Sequence, residues 1–251
     1  MTGPEPFPAF YTVIHHDRIA STNDEAKALA ESGAGEGTLV WAREQTAGRG
    51  RLGRQWVSRP GNLYVSLIVR PRVHVAAAAQ LGFAAALAVG EACLEFAPAA
   101  AIAYKWPNDV LLNGKKLAGI LLESQTSSDG NLAWLVIGMG INLATYPTNT
   151  DRPATALAVT GADVDPEAML VALSRRFLSW YERWQGADSF AALRTAWLAR
   201  AHGLGHTIRV SLPQSSLTGN FVDLDTDGAL LLESGSTKSR ITAGEVFPVG
   251  S

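Results

Sequence analysis

The alternation of apolar and polar positions predicts an α/β domain in the first part of the chain. Residues 10–15, 38–41 and 62–69 are short runs rich in apolar and β-branched side chains, which are typical of strands. Between the first two runs, Thr22 and Glu25 have the spacing of a capping box, so we expect a helix to begin there.

The longest apolar stretch, residues 75–96, is long enough to cross a membrane. Alanine, its commonest residue, gains little free energy on transfer into a bilayer, and Gln80, Glu91 and Glu95 interrupt the stretch. We therefore expect a buried helix and no membrane contact.

A β-hairpin is predicted in the middle of the chain. Asn113 and Gly114 are preferred in two-residue hairpin turns, and they separate residues 110–112 from residues 116–123. These two runs should therefore pair as antiparallel strands. Residues 132–137 predict a further strand, which we expect to end in a glycine-rich turn.

The pattern changes at Gly203. Before it, Asp165 and Pro166 suit the start of a helix, and apolar positions then repeat at helical spacing. After it, short strands are broken by turn residues, with no helical period, which predicts a small all-β module. We therefore divide the chain into a domain of residues 1–203 and a module of residues 204–251.

Composition narrows the class of protein. The 251 residues are 47% hydrophobic and 18% charged, which is enough apolar material for a sizeable core. The net charge of −2 argues against a general nucleic-acid binder, since such proteins carry an excess of basic residues. Cys93 is the only cysteine, so no intramolecular disulfide can form, and the N-terminus lacks the features of a signal peptide. We expect a cytoplasmic protein.

Residues 48–56, called the arginine loop below, carry the first candidate chemistry. Their glycines satisfy G-x-G-x-x-G, but a strand follows instead of a helix, which excludes a dinucleotide-binding fold. Guanidinium groups suit a carboxylate or a phosphate, and glycines let backbone N–H groups approach an anion. A solvated loop and an RNA-contacting loop are the alternatives. The residues concerned are Gly48, Gly50 and Gly53 with Arg49, Arg51 and Arg54.

Two later segments add polar groups. Asn108 and Asp109 follow a Trp-Pro pair, where turn formation alone would also explain them. Lys115 and Lys116 should point to opposite faces of a strand, so at most one reaches a site; a solvated pair is the alternative. Asn142 ends a Gly-Met-Gly-Ile-Asn run, which suits either a tight turn or the close approach of a ligand. We find no Walker A, zinc-ligand or nucleophile-elbow pattern, and expect no protein-held metal.

Taken together and in order, these segments resemble the biotin protein ligase family. The resemblance implies an α+β fold, in which a mixed β-sheet flanked by helices, similar to class II synthetase cores, precedes a small SH3-like β-barrel. It covers most of the chain and rests on Ser21-Thr22-Asn23, the arginine loop with Trp56, Lys105-Trp-Pro-Asn-Asp109, Lys116-Leu-Ala-Gly-Ile and Gly138-x-Gly-Ile-Asn142.

The resemblance also implies a reaction. In this family the carboxylate of biotin attacks the α-phosphorus of ATP and pyrophosphate leaves. The biotinyl group of the resulting biotinyl-adenylate then passes to a lysine of a biotin carboxyl carrier protein. ATP and biotin would therefore be the ligands, and Mg²⁺ would arrive with the ATP phosphates. The partner would be the carrier domain of a biotin-dependent carboxylase.

The same resemblance assigns residues to three roles. The catalytic residues would be Lys116, Arg51 and Asp109, with Asp109 orienting or deprotonating the incoming lysine. Biotin would be bound by Ser21, Thr22, Asn23, Gln45, Gly48, Arg49, Gly50, Arg51 and Lys116. ATP would be bound by Arg51, Arg54, Trp56, Lys105, Asn108, Lys116 and Asn142.

Two alternatives stay open. A lipoate ligase or octanoyl transferase shares this fold, but lacks a comparable arginine loop followed by Trp56. A nucleic-acid-binding module could use the same arginines, although the charge balance argues against it. Some family members carry an N-terminal DNA-binding domain; because the Ser21 motif comes almost at once, we expect none here and no DNA partner. The oligomeric state is open, with a homodimer among the alternatives.

Overall fold

The computed structural model describes residues 7–148, 152–186 and 189–248, which form two β-sheets and the helices around them. The first part contains β1 (Thr12–Ile19), α1 (Thr22–Glu31), β2 (Thr38–Gln45), β3 (Leu63–Val69), α2 (Ala78–Phe96), β4 (Ile102–Lys105), β5 (Asp109–Leu112), β6 (Lys115–Thr126), β7 (Leu132–Ile141), α3 (Pro166–Gln185) and α4 (Ser189–Leu198). The second part contains β8 (Thr207–Ser211), β9 (Ser216–Leu224), β10 (Leu230–Ser234), β11 (Thr237–Ile241) and β12 (Glu245–Pro248).

The first sheet is mixed and has helices on both faces. Its seven strands lie in the order β1-β2-β3-β7-β6-β5-β4. β1 pairs parallel with β2, and the other neighbours pair antiparallel. Alternate residues of β2 face opposite sides, so Val40 packs with α1, whereas Leu39 and Trp41 join the core beneath α2 and α3. The predicted mixed sheet flanked by helices is confirmed.

The apolar stretch of residues 75–96 is a core helix. By length and composition it could cross a membrane, yet 67% of its most apolar window is buried inside the protein. α2 packs against β6 and β7 on one side and against α3 on the other. Its small side chains allow close packing, as where Gly82 lies against Leu122 of β6. The expected burial of this helix is confirmed.

The predicted hairpin between β5 and β6 is also confirmed. Leu112 pairs with Lys115, so the turn between them has two residues. Asn113 and Gly114 have φ angles of 51° and 75°, the left-handed values that a two-residue type I′ turn requires. This turn fixes the register of β6, and thus which lysine faces which side of the sheet.

Several predicted boundaries in the first part are wrong, and the strand predicted over residues 38–41 extends to Gln45. β1 begins at Thr12 and continues well beyond residues 10–15, because its parallel pairing with β2 holds it extended. The cap of α1 is Ser21, one residue before the predicted capping box. Ser21 is extended and its Oγ accepts a hydrogen bond from the backbone N–H of Asp24, whereas Thr22 is already helical.

The prediction of a turn in the glycine-rich segment after residue 137 is wrong. β7 continues through it, and Gly138 and Gly140 pair with residues of both β3 and β6. A Cβ on Gly140 would lie 2.6 Å from the ring of Trp56, and a Cβ on Gly138 would overlap the side chain of Asn23. Glycine is needed here because side chains from other elements lie directly on the strand.

The C-terminal sheet has five strands in the order β11-β10-β9-β8-β12, all antiparallel. The predicted all-β character is confirmed. Among the described residues no pairing joins β11 to β12, so the sheet is open, whereas the resemblance implied a barrel. Trp106 Nε1 donates a 3.0 Å hydrogen bond to the carbonyl of Gly228, and one apolar core continues between the sheets. The division at residue 203 stays a prediction.

Candidate active site

A cavity of about 480 Å³ opens where β12 meets the first sheet. β3, β6 and β7 form its floor, and the N-terminus of α1, the arginine loop and the turn between β4 and β5 form its walls. β12 closes one side with Glu245, Val246 and Phe247. A cavity of this size accommodates a small-molecule ligand.

One end of the cavity is lined by hydroxyl and amide groups from the start of α1. The backbone N–H of Thr22 donates to Gln45 Oε1 at 2.8 Å. Gln45 Nε2 in turn donates to Ser58 Oγ at 2.9 Å, which fixes the orientation of this amide. Ser21, Thr22 and Asn23 are all buried, so their polar groups are shielded from bulk water. This end suits the polar ring of a ligand.

The arginine loop is held closed by its own backbone. The N–H of Trp56 donates to the carbonyl of Gly48 at 2.9 Å, and the N–H of Gly50 donates to the carbonyl of Arg54 at 2.7 Å. At the tip, Leu52 is 76% exposed. The loop is therefore an ordered hairpin-like segment whose tip lies in solvent.

Side chains of the arginine loop tie it to three neighbouring elements. Arg49 pairs with Asp24 of α1. Arg51 Nη1 donates to Asn108 Oδ1 at 3.2 Å, between β4 and β5. The third connection is the ion pair of Arg54 with Glu245 of β12.

Lys116 of β6 lines the floor of the cavity. Its Nζ is 2.6 Å from Asp109 Oδ1 and 5.4 Å from the ring centre of Trp56. The side chain of Asp109 is only 8% exposed. Lys115 is exposed and lies outside the lining, as strand alternation predicts.

The cavity is electropositive. Its lining carries two carboxylates, Asp109 and Glu245, against six cationic side chains. Burial lowers the pKa of Lys105 even though Asp109 opposes the shift, and burial also lowers the pKa of Arg51. An anionic ligand would offset this crowding of positive charge. The cations are Arg49, Arg51, Arg54, Lys105, Lys116 and Arg152.

The sequence analysis missed the contribution of β12 and Arg152. Arg152 Nη2 lies 2.6 Å from Glu245 Oε2, and its guanidinium lies 4.7 Å from the ring centre of Phe247. Burial alone raises the pKa of Glu245, but the hydrogen bond from Arg54 and the charge of Arg152 outweigh it and hold the pKa below its ordinary value. Glu245 lies in a short Ala-Gly-Glu-Val run, and nothing local indicates that it meets a loop 191 residues away.

Comparison with known proteins identifies the family. The model of the Biotin/lipoate A/B protein ligase family matches residues 16–142, and that of the Biotin protein ligase C terminal domain matches residues 203–247. The chain belongs to the biotin/lipoate A/B protein ligase family. It is 45% identical over 237 residues to a biotin–[acetyl-CoA-carboxylase] ligase of Paracoccus denitrificans, covering 92% of this chain and 98% of the relative.

More distant members of the family share the whole architecture. The chain is 35% identical to the bifunctional ligase/repressor BirA of Bacillus subtilis, covering 93% of this chain and 73% of BirA. A biotin protein ligase from Aquifex aeolicus, solved with biotin and ATP, has a TM-score of 0.80 at 30% identity, covering 95% and 98% of the two chains. One from Leishmania major, solved with biotinyl-5-AMP, has a TM-score of 0.67 at 26% identity, covering 94% and 100%. The predicted fold class, a mixed sheet with helices followed by an SH3-like antiparallel module, is confirmed, without a closed barrel among the described residues.

The family fold gathers the predicted site residues into the one cavity. Of those residues, Gly48 alone lies outside the lining, where its carbonyl shapes the arginine loop. Asn142 is buried, and its Nδ2 already donates to the carbonyl of Thr155 at 3.0 Å. The roles of the predicted site residues stay predictions. The predicted residues in the lining are Ser21, Thr22, Asn23, Gln45, Arg49, Gly50, Arg51, Arg54, Trp56, Lys105, Asn108, Asp109, Lys116 and Asn142.

Proposed function

We propose that this protein joins biotin to AMP, using ATP, and then transfers the biotinyl group to a lysine of a carboxylase carrier domain. The observation that carries the proposal is one cavity with two chemically different ends. Thr22 and Gln45 form a polar pocket for a ring, and Lys116 lies among cations that suit two anions. The relatives named above are biotin ligases, and the Aquifex aeolicus structure holds biotin and ATP.

In the first step, a carboxylate oxygen of biotin forms a bond to the α-phosphorus of ATP. The bond from that phosphorus to the pyrophosphate oxygen breaks, and pyrophosphate leaves. Both reactants are anions, so the step needs fixed positive charge where they meet. Lys116 of β6 and Arg51 of the arginine loop provide it, and both are held in place by partners.

The nucleotide lies on the side of the cavity formed by Trp56, Lys105, Asn108 and Asn142, with Arg54 at its edge. Biotin lies on the side of Ser21 to Asn23 and Gln45, within reach of Arg49 and Gly50. Among the described residues, no group of three or more His, Cys, Asp or Glu side chains could hold a metal ion. Mg²⁺ would enter with the ATP phosphates and partly neutralise their charge.

In the second step, the amine of the carrier lysine attacks the acyl carbon of biotinyl-adenylate. The carbon–oxygen bond of the mixed anhydride breaks, AMP leaves, and the amine loses a proton. Asp109 is the carboxylate placed to accept it, because it lines the cavity beside Lys116. Cytoplasmic location, the lack of a DNA partner and the homodimer stay predictions.

The test is transfer to a purified carrier domain, followed by intact mass spectrometry and nucleotide analysis. We expect the carrier to gain the mass of one biotinyl group, with AMP and pyrophosphate as the other products. A carrier whose target lysine is replaced by arginine should gain nothing. Formation of ADP, or modification with lipoate in place of biotin, would overturn the proposal.

A further inference from the structure

A chain of buried and partly buried hydrogen bonds connects the polar end of the cavity to residues outside it. Glu123 Oε1 accepts from Lys27 Nζ at 2.8 Å, and its Oε2 accepts from Asn23 Nδ2 at 2.8 Å. Ser66, fully buried on β3, has its Oγ 2.6 Å from Asn23 Oδ1 and 2.8 Å from Thr22 Oγ1. Thr22 and Asn23 line the cavity, whereas Ser66 and Glu123 lie behind it.

The direction of each hydrogen bond follows from the number of protons available. A carboxylate only accepts, so the amide NH₂ of Asn23 faces Glu123 and its Oδ1 faces Ser66. Because Oδ1 also only accepts, the single hydroxyl proton of Ser66 goes to Asn23. The 2.8 Å contact between Ser66 and Thr22 then requires the hydroxyl proton of Thr22.

Glu123 remains a carboxylate in this network. Burial alone raises its pKa, but hydrogen bonds from Lys27 and Asn23 and the charges of Lys27 and Arg49 outweigh that effect and lower the pKa below its ordinary value. The orientation of the Asn23 amide is therefore maintained at neutral pH. Gly138 adds a steric constraint, because a Cβ there would overlap the Asn23 side chain.

The consequence reaches the ligand through Thr22. Thr22 Oγ1 also lies 3.1 Å from Gln45 Oε1, which accepts the Thr22 backbone N–H at 2.8 Å. The two hydroxyl protons of Ser66 and Thr22 serve three oxygen–oxygen contacts, and we assign them to the two shorter ones, at 2.6 Å and 2.8 Å. With its proton directed to Ser66, the Thr22 hydroxyl presents only lone pairs to the cavity. We propose that Ser66 and Glu123 are positioning residues that make Thr22 a fixed hydrogen-bond acceptor and so select a ligand ring with an N–H donor.

This inference rests on the proposed function and deepens it. The ureido ring of biotin carries two N–H donors, whereas the dithiolane ring of lipoate carries none. A ring without the donor would bring a lone pair against the lone pairs of Thr22, which is more costly than a missing contact. Ser66 and Glu123 therefore contribute to the selection of biotin over lipoate without contacting either acid.

The test compares biotin with its two cyclic carbamate analogues, in each of which a ring oxygen replaces one N–H. In the wild-type protein, KM should rise by about tenfold or more for the analogue that lacks the donor facing Thr22. In Ser66→Ala, the Thr22 proton is released and can bond the ring oxygen. The ratio of the two KM values should then fall to about threefold or less, while kcat and KM for ATP change by less than about twofold. Ser174→Ala, an equally buried serine on α3, is the matched control.

A second variant, Glu123→Gln, tests the inference independently in case Ser66→Ala does not fold. Glu123→Gln keeps the shape of the side chain but adds a donor, so Asn23 can turn over and release the Ser66 proton towards Thr22. We expect the same fall in the KM ratio, which general loosening of the site would not produce. Glu31→Gln, an exposed residue at the end of α1, is its control.

The results of these experiments distinguish failure of the inference from failure of the proposed function. Wild-type protein that does not discriminate against either carbamate, or variants that keep the full discrimination, would overturn the inference and leave the proposed function intact. Variants that raise KM for ATP as much as KM for biotin would also overturn it. Wild-type protein that forms no adenylate from biotin would overturn the proposed function itself.

Discussion

Lys116 of β6 and Asp109 of β5 form an ion pair of 2.6 Å within the cavity wall. The side chains are 26% and 8% exposed, so the pair is partly shielded from water and its electrostatic interaction is stronger than at the surface. The two-residue turn at Asn113 and Gly114 sets the pairing of Leu111 with Lys116. A register shift between Val110 and Leu111 places Asp109 opposite Gly119. Lys116 is thereby fixed among the cations of the site, whereas Lys115 is exposed.

Lys116→Met should nearly abolish adenylate formation. Negative charge builds on the phosphoryl oxygens as the carboxylate attacks, and loss of one preorganised donor at such a centre costs about 10²–10³ in rate. Lys115→Met should stay within about twofold, because that side chain faces solvent. Single-turnover pyrophosphate release measures both. Similar losses at the two lysines would contradict the assignment of faces.

The conservative variant at the same position sharpens this test. Lys116→Arg should not restore the full rate, because a planar fork replaces a compact point charge. Preformed biotinyl-adenylate should restore part of the transfer to the carrier in Lys116→Met, since the step that builds charge is bypassed. If Lys116→Met transfers biotin from preformed adenylate as slowly as it carries out the overall reaction, the role of Lys116 is not confined to adenylate formation.

Arg51→Gly should release biotinyl-adenylate faster and make labelling less selective. Arg51 connects the arginine loop to Asn108 and lies 3.5 Å from the carbonyl of Gly244, so its loss removes one of the loop's side-chain connections and one cation of the site. Loss of a charged hydrogen bond of this kind corresponds to an off-rate about tenfold higher. Stopped-flow measurement of adenylate release tests it, with the exposed Leu52→Ala as the control in the same loop. An unchanged off-rate would contradict a role for Arg51 in holding biotinyl-adenylate.

Stability should depend on Glu245 in a defined range of pH. Its pKa in the folded protein lies below the ordinary value of 4.5, so its contribution is complete above that pH and is lost as the pH falls through the folded value. Glu245→Gln should therefore lower the free energy of unfolding at neutral pH, and its difference from wild type should shrink on acidification. Urea denaturation across this range measures the difference.

The control for this prediction is Glu233→Gln. Glu233 lies 3.9 Å from Lys238, in an exposed pair on the C-terminal sheet. Exposed pairs contribute little to stability, so this variant should track wild type at every pH. A difference for Glu245→Gln that is constant with pH would show that its carboxylate charge is not what holds Arg54 and Arg152.

Gly140→Ala should impair the nucleotide side of the cavity. A Cβ there would lie 2.6 Å from the Trp56 ring, which must then move off the sheet. Misplacement of a binding group by about 1 Å can cost up to about 10²-fold in rate, so we expect at least tenfold slower pyrophosphate release. Gly35→Ala, where an added Cβ meets no atom within 4 Å, is the control. Equal activity of the two variants would contradict a role for Trp56.

Features set by neighbouring residues were predictable from the sequence. The hairpin needs only Asn113 and Gly114, whose left-handed φ values few residues adopt readily. The separation of Lys115 from Lys116 follows from strand alternation. The capping error at Thr22 arose because Ser21 is an equally good cap one residue earlier, and spacing alone does not choose between them.

Features set by long-range packing were not predictable. Ser66 reads as one small polar residue in an apolar strand, and its bonds to Thr22 and Asn23 depend on how α1 lies over β3. Gly138 and Gly140 look like a turn until the side chains that lie on them are known. Glu245 meets Arg54 only because β12 folds back onto the first sheet.

The most direct test of the central claim is single-turnover release of pyrophosphate from ATP and Mg²⁺ by the wild-type protein. Biotin, lipoate and octanoate are offered separately at equal concentration, with a reaction lacking any acid as the blank. We expect release with biotin of about one pyrophosphate per active site, because tightly held biotinyl-adenylate blocks a second turnover without carrier. Lipoate and octanoate should give no more than the blank. Equal release with lipoate or octanoate would contradict the assignment of this cavity to biotin.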